Sequence, residues 1–551
     1  LQGFAIFANK KIKKLIIRYL LSCFAACVFC FSFGNISWAQ KKSEFLVPYR
    51  IGEFWGFSNK AGELRVPVEF EEVEPFQKDL AKVKKKGLWG TIDQKGRQVL
   101  PCEYSVVYSA STKGRVVVCK GGDKSGHQGT WGFVPLYTPQ TPIPLSYDLI
   151  RECGGEGLLG VKQNGKWGAI DERGKMLIPT EYEVQRTTDH QLNSENTLPI
   201  MLPHEDNDNN PYLKLRFYNH LARVSKYQKW GFINESGVAV IPLQYEFVGN
   251  FSEGLVAVVG KTQEGIRLGF INHFHDTIVP LRYEVRDGIY QKTQFQQGLA
   301  IVGQGGKLGY INTKGQTIIP FQFAQAHNFS ESRAWVSEDY HSLQPTWKMI
   351  NETGQTIYTL PKDCQLLDFE FQNGFVRVRR GKEENFLSRK GELLLDNWAI
   401  HTAPFEDDMA LVAIEKEGKQ TMGYISTKGN WIIEPIYDFS PQGNNTQKTA
   451  HFIRLRLAGK AGVVNVKGRV FVPFEYDDVA LPFYIVENQL YGVYKRLPAL
   501  QNGKWGYLKR NNKWAISPQY EQARFFSEGF AKVRFEGKWG YINPKNKRFW
   551  K

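Results

Sequence analysis

One block of residues is written over and over in this chain, and that repetition limits the fold more than any other feature. The stretch Phe526-Ser-Glu-Gly-Phe-Ala-Lys-Val-Arg-Phe-Glu-Gly-Lys-Trp-Gly-Tyr-Ile-Asn543 returns as Phe251-Ser-Glu-Gly254 followed by Leu268-Gly-Phe-Ile-Asn272. It returns again as Gly298-Leu-Ala-Ile-Val302 followed by Leu308-Gly-Tyr-Ile-Asn312. The pair Trp-Gly is intact at Trp55, Trp89, Trp131, Trp167, Trp230, Trp505 and Trp539. Weaker copies keep only the glycine, at Gly269, Gly309, Gly423 and Gly462, and two more lose it, at Lys348 and Asn385. Aligned on that column, most copies stand 34 to 44 residues apart, which makes thirteen repeats. The gap from Gly168 to Gly231 is 63 residues and holds an insertion near 184–220.

Each copy reads as three or four short strands. In Ala531-Lys-Val-Arg-Phe535 apolar and charged residues alternate, the period of a half-buried strand. Glu536-Gly537 turns the chain into a second strand, Lys538–Asn543. A turn follows at Asp93-Gln-Lys-Gly96, Asp171-Glu-Arg-Gly174, Asn234-Glu-Ser-Gly237 and Asn312-Thr-Lys-Gly315. There Asp or Asn accepts a bond from backbone two residues on, and glycine supplies positive φ. A third strand runs to a proline, as in Val240-Ile-Pro242, Ile318-Ile-Pro320 and Val472-Pro473; proline cannot donate to a ladder, so it marks the strand's end or an edge. A Tyr-acid pair follows, as in Tyr245-Glu246, Tyr283-Glu284 and Tyr476-Asp477. Glycine after tryptophan marks a bulge or a close backbone approach, expected here to be where units pack on each other with the Trp ring as wedge. The seven Trp are therefore expected in the repeat core.

The sequence resembles the bacterial WG-repeat (KWG-repeat) proteins across residues 45–551, on the recurring pattern [KR]-W-G-[YF]-I-[ND]-x-x-G-x-x-[VI]-[IV]-P-x-x-Y. The resemblance implies exported or surface proteins with a repetitive β fold and carries no catalytic residues. The expected fold is all-β, with propeller-like blades; the alternative is an open β-solenoid or superhelix. Units of this length suit blades, yet the chain begins at the strand before Trp55 and ends near Phe549, with no spare strand to exchange.

The first 39 residues resemble a secretory signal: Lys10, Lys11, Lys13, Lys14 and Arg18, an apolar run from Leu20 to Phe33, then Ser37-Trp38-Ala39. The expected location is periplasmic or extracellular, the alternative being membrane anchorage by an uncleaved segment. A lipobox-like Leu20-Leu21-Ser22-Cys23 would leave an apolar stretch behind its cysteine. Removing residues 1–39 takes five positive charges, so the net charge falls from +16 to +11 and stays basic. Cys102, Cys119, Cys153 and Cys364 remain, as free thiols or as one or two bridges.

No catalytic pattern, cofactor or specific nucleic acid is expected. His273 and His275 with Asp276 share a metal-like spacing but occupy the Asn-x-x-Gly turn. His204-Glu-Asp-Asn-Asp-Asn-Asn210 resembles a calcium loop at Asp206, Asp208 and Asn210, but Pro211 and Phe217 stand where that loop needs Gly and Glu. Asp407-Asp408 and Asp477-Asp478 are adjacent, so on strands they point to opposite faces.

One column is chemically consistent. The outward positions of the Ala-x-Val strand are basic at Lys82, Lys84, Arg377, Arg379, Arg454, Arg456, Lys532 and Arg534, with Arg115 and Arg223 assigned to the same column. Two readings follow: a stripe that binds an anionic envelope polysaccharide, or edge protection against strand pairing. The expected role is a non-enzymatic interaction or surface scaffold of the cell envelope with protein or anionic polysaccharide partners; the alternative is a glycan- or polyanion-binding module.

Overall fold

In the computed structural model the repeat is an antiparallel sheet whose strands follow one another in chain order. The structure describes residues 45–551 except 78, 109–114, 123–127, 136–142, 155–156, 172–173, 184–214, 287–292, 340–344, 441–445, 482–495 and 528. The signal-like segment 1–39 and the calcium-like loop at 204–210 lie outside the described residues. Val47–Lys551 makes one compact unit.

The second repeat shows the rule. A short strand Glu72–Val73 is followed by Leu80–Lys85, Leu88–Asp93 and Gln98–Tyr104, paired in that order. In Leu80–Lys85 the alternation places Ala81 and Val83 in full burial and leaves Lys82 and Lys84 partly exposed. Lys86 and Gly87, at φ 52° and 76°, form the two-residue hairpin whose twist matches the strands. At the next turn Asp93 Oδ1 accepts from the amides of Lys95 and Arg97, each at 2.9 Å, and Gly96 takes φ 76°. Among the described residues thirteen such units follow one another, and the sixth and seventh join into one seven-stranded sheet through Glu284 and Gly303. All described regular structure is β.

One expectation about the repeat is narrowed and one corrected. The proline marks an edge and not the end of the third strand: Pro101 sits inside Gln98–Tyr104, and the strand runs on to the tyrosine. It is tolerated because this is the outermost strand of the sheet, where one side of the backbone needs no partner. The glycine after tryptophan does not meet the neighbouring unit. A Cβ at Gly90 would lie 2.5 Å from the Leu100 carbonyl of its own third strand, and at Gly56 2.5 Å from that of Val66. The approach occurs where the register shifts between Trp89↔Tyr104 and Thr91↔Leu100, a bulge repeated in unit after unit.

Units meet elsewhere. The turn glycine lies on the third strand of the preceding unit: Gly96 on Val66, Gly237 on Ile178, Gly315 on Val279 and Gly354 on Ile319. Behind it, the Tyr-Leu face of one unit packs on the small apolar face of the next. Leu100 and Tyr104 cluster with Val107, Val116 and Val118, and Tyr507, Ile516 and Tyr520 with Ala531, Val533 and Ile542.

The terminal units also touch, contrary to the reading that the ends have nothing to exchange. Arg50 pairs in parallel with Trp550. The Arg50 amide donates to Phe549 O at 3.2 Å and the Lys551 amide to Arg50 O at 3.0 Å. Residues 549–551 thereby cover the edge of Val47–Ile51 that a short strand covers in the second unit.

Candidate functional site

The basic column does not form an open stripe. Register places Lys84 opposite Trp89 and Arg534 opposite Trp539, so cation and ring share the sheet face turned to the next unit. Lys84 Nζ lies 5.4 Å from the Trp89 ring centroid, Arg223 5.7 Å from Trp230 and Lys532 5.3 Å from Trp539. The same grouping holds Arg50 over Trp55 at 5.8 Å and Arg151 over Trp131 at 5.3 Å. Each such contact contributes roughly 0.5–1 kcal/mol where exposed and more where desolvated. Register also corrects Arg115, which pairs with Pro135 and so stands one alternate position before the column that Arg223 occupies.

Carboxylates complete the arrangement. Lys82 pairs with Glu74 at 2.7 Å, Lys84 with Glu72 at 2.8 Å and Arg377 with Asp368 at 2.7 Å. Arg379 pairs with Glu384 at 2.6 Å, Arg454 with Asp478 at 2.9 Å, Arg456 with Asp478 at 3.9 Å and Arg534 with Glu521 at 3.5 Å. Burial lowers the Lys532 amine, while Glu72 and Glu74 oppose that shift. Arg223 is lowered to about 10 by burial, and its guanidinium donates to Val248 O of the following unit at 3.2 Å. The column therefore sits at the junction between units, with its charge met by acids of the chain.

The Tyr-acid pair has a role that the sequence did not reveal. The acid reaches forward to the hairpin of the next unit and accepts from its backbone amides. Glu71 takes Gly87 at 2.8 Å, Asp148 takes Gly165 at 3.1 Å and Glu521 takes Gly537 at 3.1 Å. Glu284 takes Gly305 and Gly306 at 2.8 and 3.0 Å, and Asp438 takes Gly459 at 2.7 Å. Successive amides in a hairpin of positive φ form a concavity suited to an anion. Asp477 and Asp478 do point apart, to Lys460 and Arg454. Asp407 and Asp408 instead lie in a turn, at φ 53° and 61°.

The ninth unit departs from this scheme. Glu384 occupies the tryptophan position, opposite Arg379, and is buried. It accepts from the Thr402 amide at 2.6 Å, Thr402 Oγ1 at 2.9 Å and Arg379 at 2.6 Å, with His401 Nδ1 at 3.5 Å. Burial pushes its pKa up, but the bonds from His401, Arg379 and Thr402 prevail and hold it at about 2.

The seven Trp divide: Trp55, Trp131, Trp167 and Trp230 are buried, and Trp89, Trp505 and Trp539 are half-buried. The most exposed large apolar side chains lie close together in sequence instead: Tyr227 at 79%, Phe274 at 71%, Tyr218 at 64% and Val238 at 59%, all in the fifth and sixth units. His275 Nε2 lies 2.8 Å from Tyr245 Oη, so it meets the preceding unit as the turn glycines do. Among the described residues no three His, Cys, Asp or Glu side chains gather as metal ligands. Cys102 and Cys364 are half-buried free thiols, and Cys119 and Cys153 are buried. No helix among the described residues is long and apolar enough to cross a membrane.

Comparison with protein families matches the WG containing repeat at residues 55–89, 89–122, 167–184, 230–259, 309–340, 422–440 and 505–539. The chain is a WG-repeat protein. Among curated proteins no sequence matches this WG-repeat chain. Similar solved structures include a eukaryotic initiation factor, 12% identical over 78% of this chain and 95% of that one, with a TM-score of 0.25. Apo AztD from Citrobacter koseri is 9% identical over 58% and 92%, with a TM-score of 0.24. Porphyromonas gingivalis dipeptidyl peptidase 4 is 11% identical over 63% of each chain, with a TM-score of 0.26. At such scores these likenesses carry no argument about what the WG-repeat protein does.

Proposed function

We propose that this WG-repeat protein is a non-enzymatic, exported scaffold of the cell envelope that binds a partner through its fifth and sixth units. The observation that supports this is the concentration of exposed large apolar side chains there: Tyr218, Tyr227, Val238 and Phe274. Tyr218 lies at the end of its hairpin where the turn carrying Val238 begins, Phe274 is in the equivalent turn of the next unit, and Tyr227 sits in the hairpin at the other end of Leu221–Lys226; side chains this exposed are open to a partner. Amphipathic tyrosines suit both protein and sugar partners, since a ring gives contact area at little entropic cost. Glycan recognition is the second reading, on the same residues. The polysaccharide stripe drawn from the basic column is the weaker form of it, because those cations are paired with carboxylates.

The test is retention of the purified protein on isolated envelope material and on its delipidated glycan fraction. Replacing Tyr218, Tyr227 and Phe274 together by Ser should abolish retention while leaving the unfolding transition in place, because exposed substitutions change stability by only about 0.5 kcal/mol. Undiminished retention of the triple variant refutes the assignment to these units. Export rests on residues 10–39 and expects a mature N-terminus at Gln40 by mass spectrometry. Cytoplasmic protein with Lys10–Ala39 attached would refute it.

A further inference from the structure

The junction between the last unit and the first is unlike the others, because the chain does not cross it. At ordinary junctions the third strand leads within two residues into the next sheet, as from Tyr104 to Val106, Tyr476 to Asp478 and Tyr520 to Gln522. Between the thirteenth unit and the first, contact is wholly non-covalent. It consists of the Arg50, Phe549 and Lys551 ladder, with the Gly52 amide 3.4 Å from Lys551 O. An ion pair joins Lys538 to Glu53, Lys547 donates to Ala61 O, and Trp55 meets Tyr541 edge-on at 6.0 Å. The ion pair is open to solvent on both sides, 48% and 72% exposed, so it is screened by salt and a charge reversal there is felt most at low ionic strength.

Both sides of this seam are built from the repeat, but they fit differently from the other junctions: Arg50 and Trp550 pair in parallel where Glu72–Val73 pairs antiparallel with the next strand, and Gly62 meets the amine end of Lys547 where Gly96 meets Val66. The trailing face of the last unit meets the leading face of the first, so the contact is heterologous: neither face meets its own copy. An opened seam leaves a bare strand edge at Val47–Ile51 and, on the other side, residues 549–551 that fit it. Unpaired strand edges recruit another chain of complementary register. The chain best matched to each edge is a second copy of this one, because it carries the other edge.

We propose that the seam is a docking surface for a second copy of this chain, each molecule's trailing face taking the other's leading face. The same hydrogen bonds and ring contacts then form between molecules as formed within one. Within one molecule the two faces are held at high effective concentration, which favours the self-joined form. Joined copies therefore appear as protein concentration rises or as the seam is weakened.

The test uses two charge variants of the full chain. Glu53→Lys places two lysines at the seam, and Lys538→Glu places two glutamates there. Each variant repels itself, within one molecule and between two. Mixed, they offer one complementary ion pair at each of the two junctions between molecules. Light scattering after size exclusion should give each variant alone the mass of one chain and the mixture a species of twice that mass. The wild type should shift toward the larger species as concentration increases. Circular dichroism of each variant checks that the fold is kept, and the doubly substituted chain, with the pair reversed, should behave as wild type. The comparison is made at low ionic strength, where the pair is least screened, and a mixture of folded variants that stays there at the mass of one chain at every concentration overturns the proposal.

Discussion

Glu384→Gln is expected to loosen the junction between the ninth and tenth units in a pH-dependent way. The carboxylate's pKa falls from an ordinary 4.5 to about 2 in the folded protein. A depressed acid contributes stability that is complete above its unfolded pKa and is lost as pH falls toward the folded one. At about 1.36 kcal/mol per pH unit, the contribution at pH 7 is roughly 3.4 kcal/mol. It shrinks to about 1.4 kcal/mol at pH 3 and about 0.4 kcal/mol at pH 2. Gln keeps the shape but leaves Arg379 without its counter-charge and offers one acceptor oxygen where the carboxylate uses two, one for Arg379 and one for Thr402. Hydrogen exchange of the Thr402 amide and its neighbours in Met409–Lys416 reads this locally, which avoids assuming that the whole array unfolds at once. At pH 7 protection there should fall by about two and a half orders of magnitude, and at pH 2 wild type and variant should nearly coincide. A difference that stays constant with pH would show that Glu384 acts through packing alone and would refute the charge argument.

Gly231→Ala should destabilise the fifth unit by more than the roughly 1–3 kcal/mol of an overpacked core, since the methyl would meet backbone rather than a movable side chain: Pro242 O lies 2.7 Å from its place. Urea unfolding of the variant checks this, and an unchanged midpoint would remove the close-approach explanation for the repeat's glycine. A double-mutant cycle on Trp89→Leu and Lys84→Val should give a coupling of about 0.5–1 kcal/mol, because ring and amine are in contact. Additive effects would mean that the two residues share a face without sharing energy.

What the sequence made legible is local. The hairpin at Lys86-Gly87 and the turn from Asp93 to Gly96 are closed by bonds within a few residues, so their chemistry shows in the order of side chains. The thirteen-unit spacing and the all-β alternation are legible for the same reason. The junctions were not, because their partners lie one unit away: Glu71 on Gly87, Gly96 on Val66, Arg223 on Val248. Without that information the sequence puts the basic column on an outer surface and gives the Trp-Gly glycine a neighbour that the turn glycine meets. The repeat itself carries only a partial signal. Where the tryptophan gives way to Leu268, Leu308 or Met422, the residue across the ladder is Val259, Gly303 or Ala413, none of them charged. Where it gives way to Glu384, Arg379 stays. The association is partial: Arg456 stays where Ala461 takes the ring's place, and Trp131, Trp230 and Trp505 face Cys119, Ser225 and Leu500 across the ladder. The exposed tyrosines and Phe274 follow no such column. Tyr218, Tyr227 and Phe274 are departures from the repeat in two adjacent units, and a departure that packing does not require is where a partner's chemistry can be written without disturbing the fold.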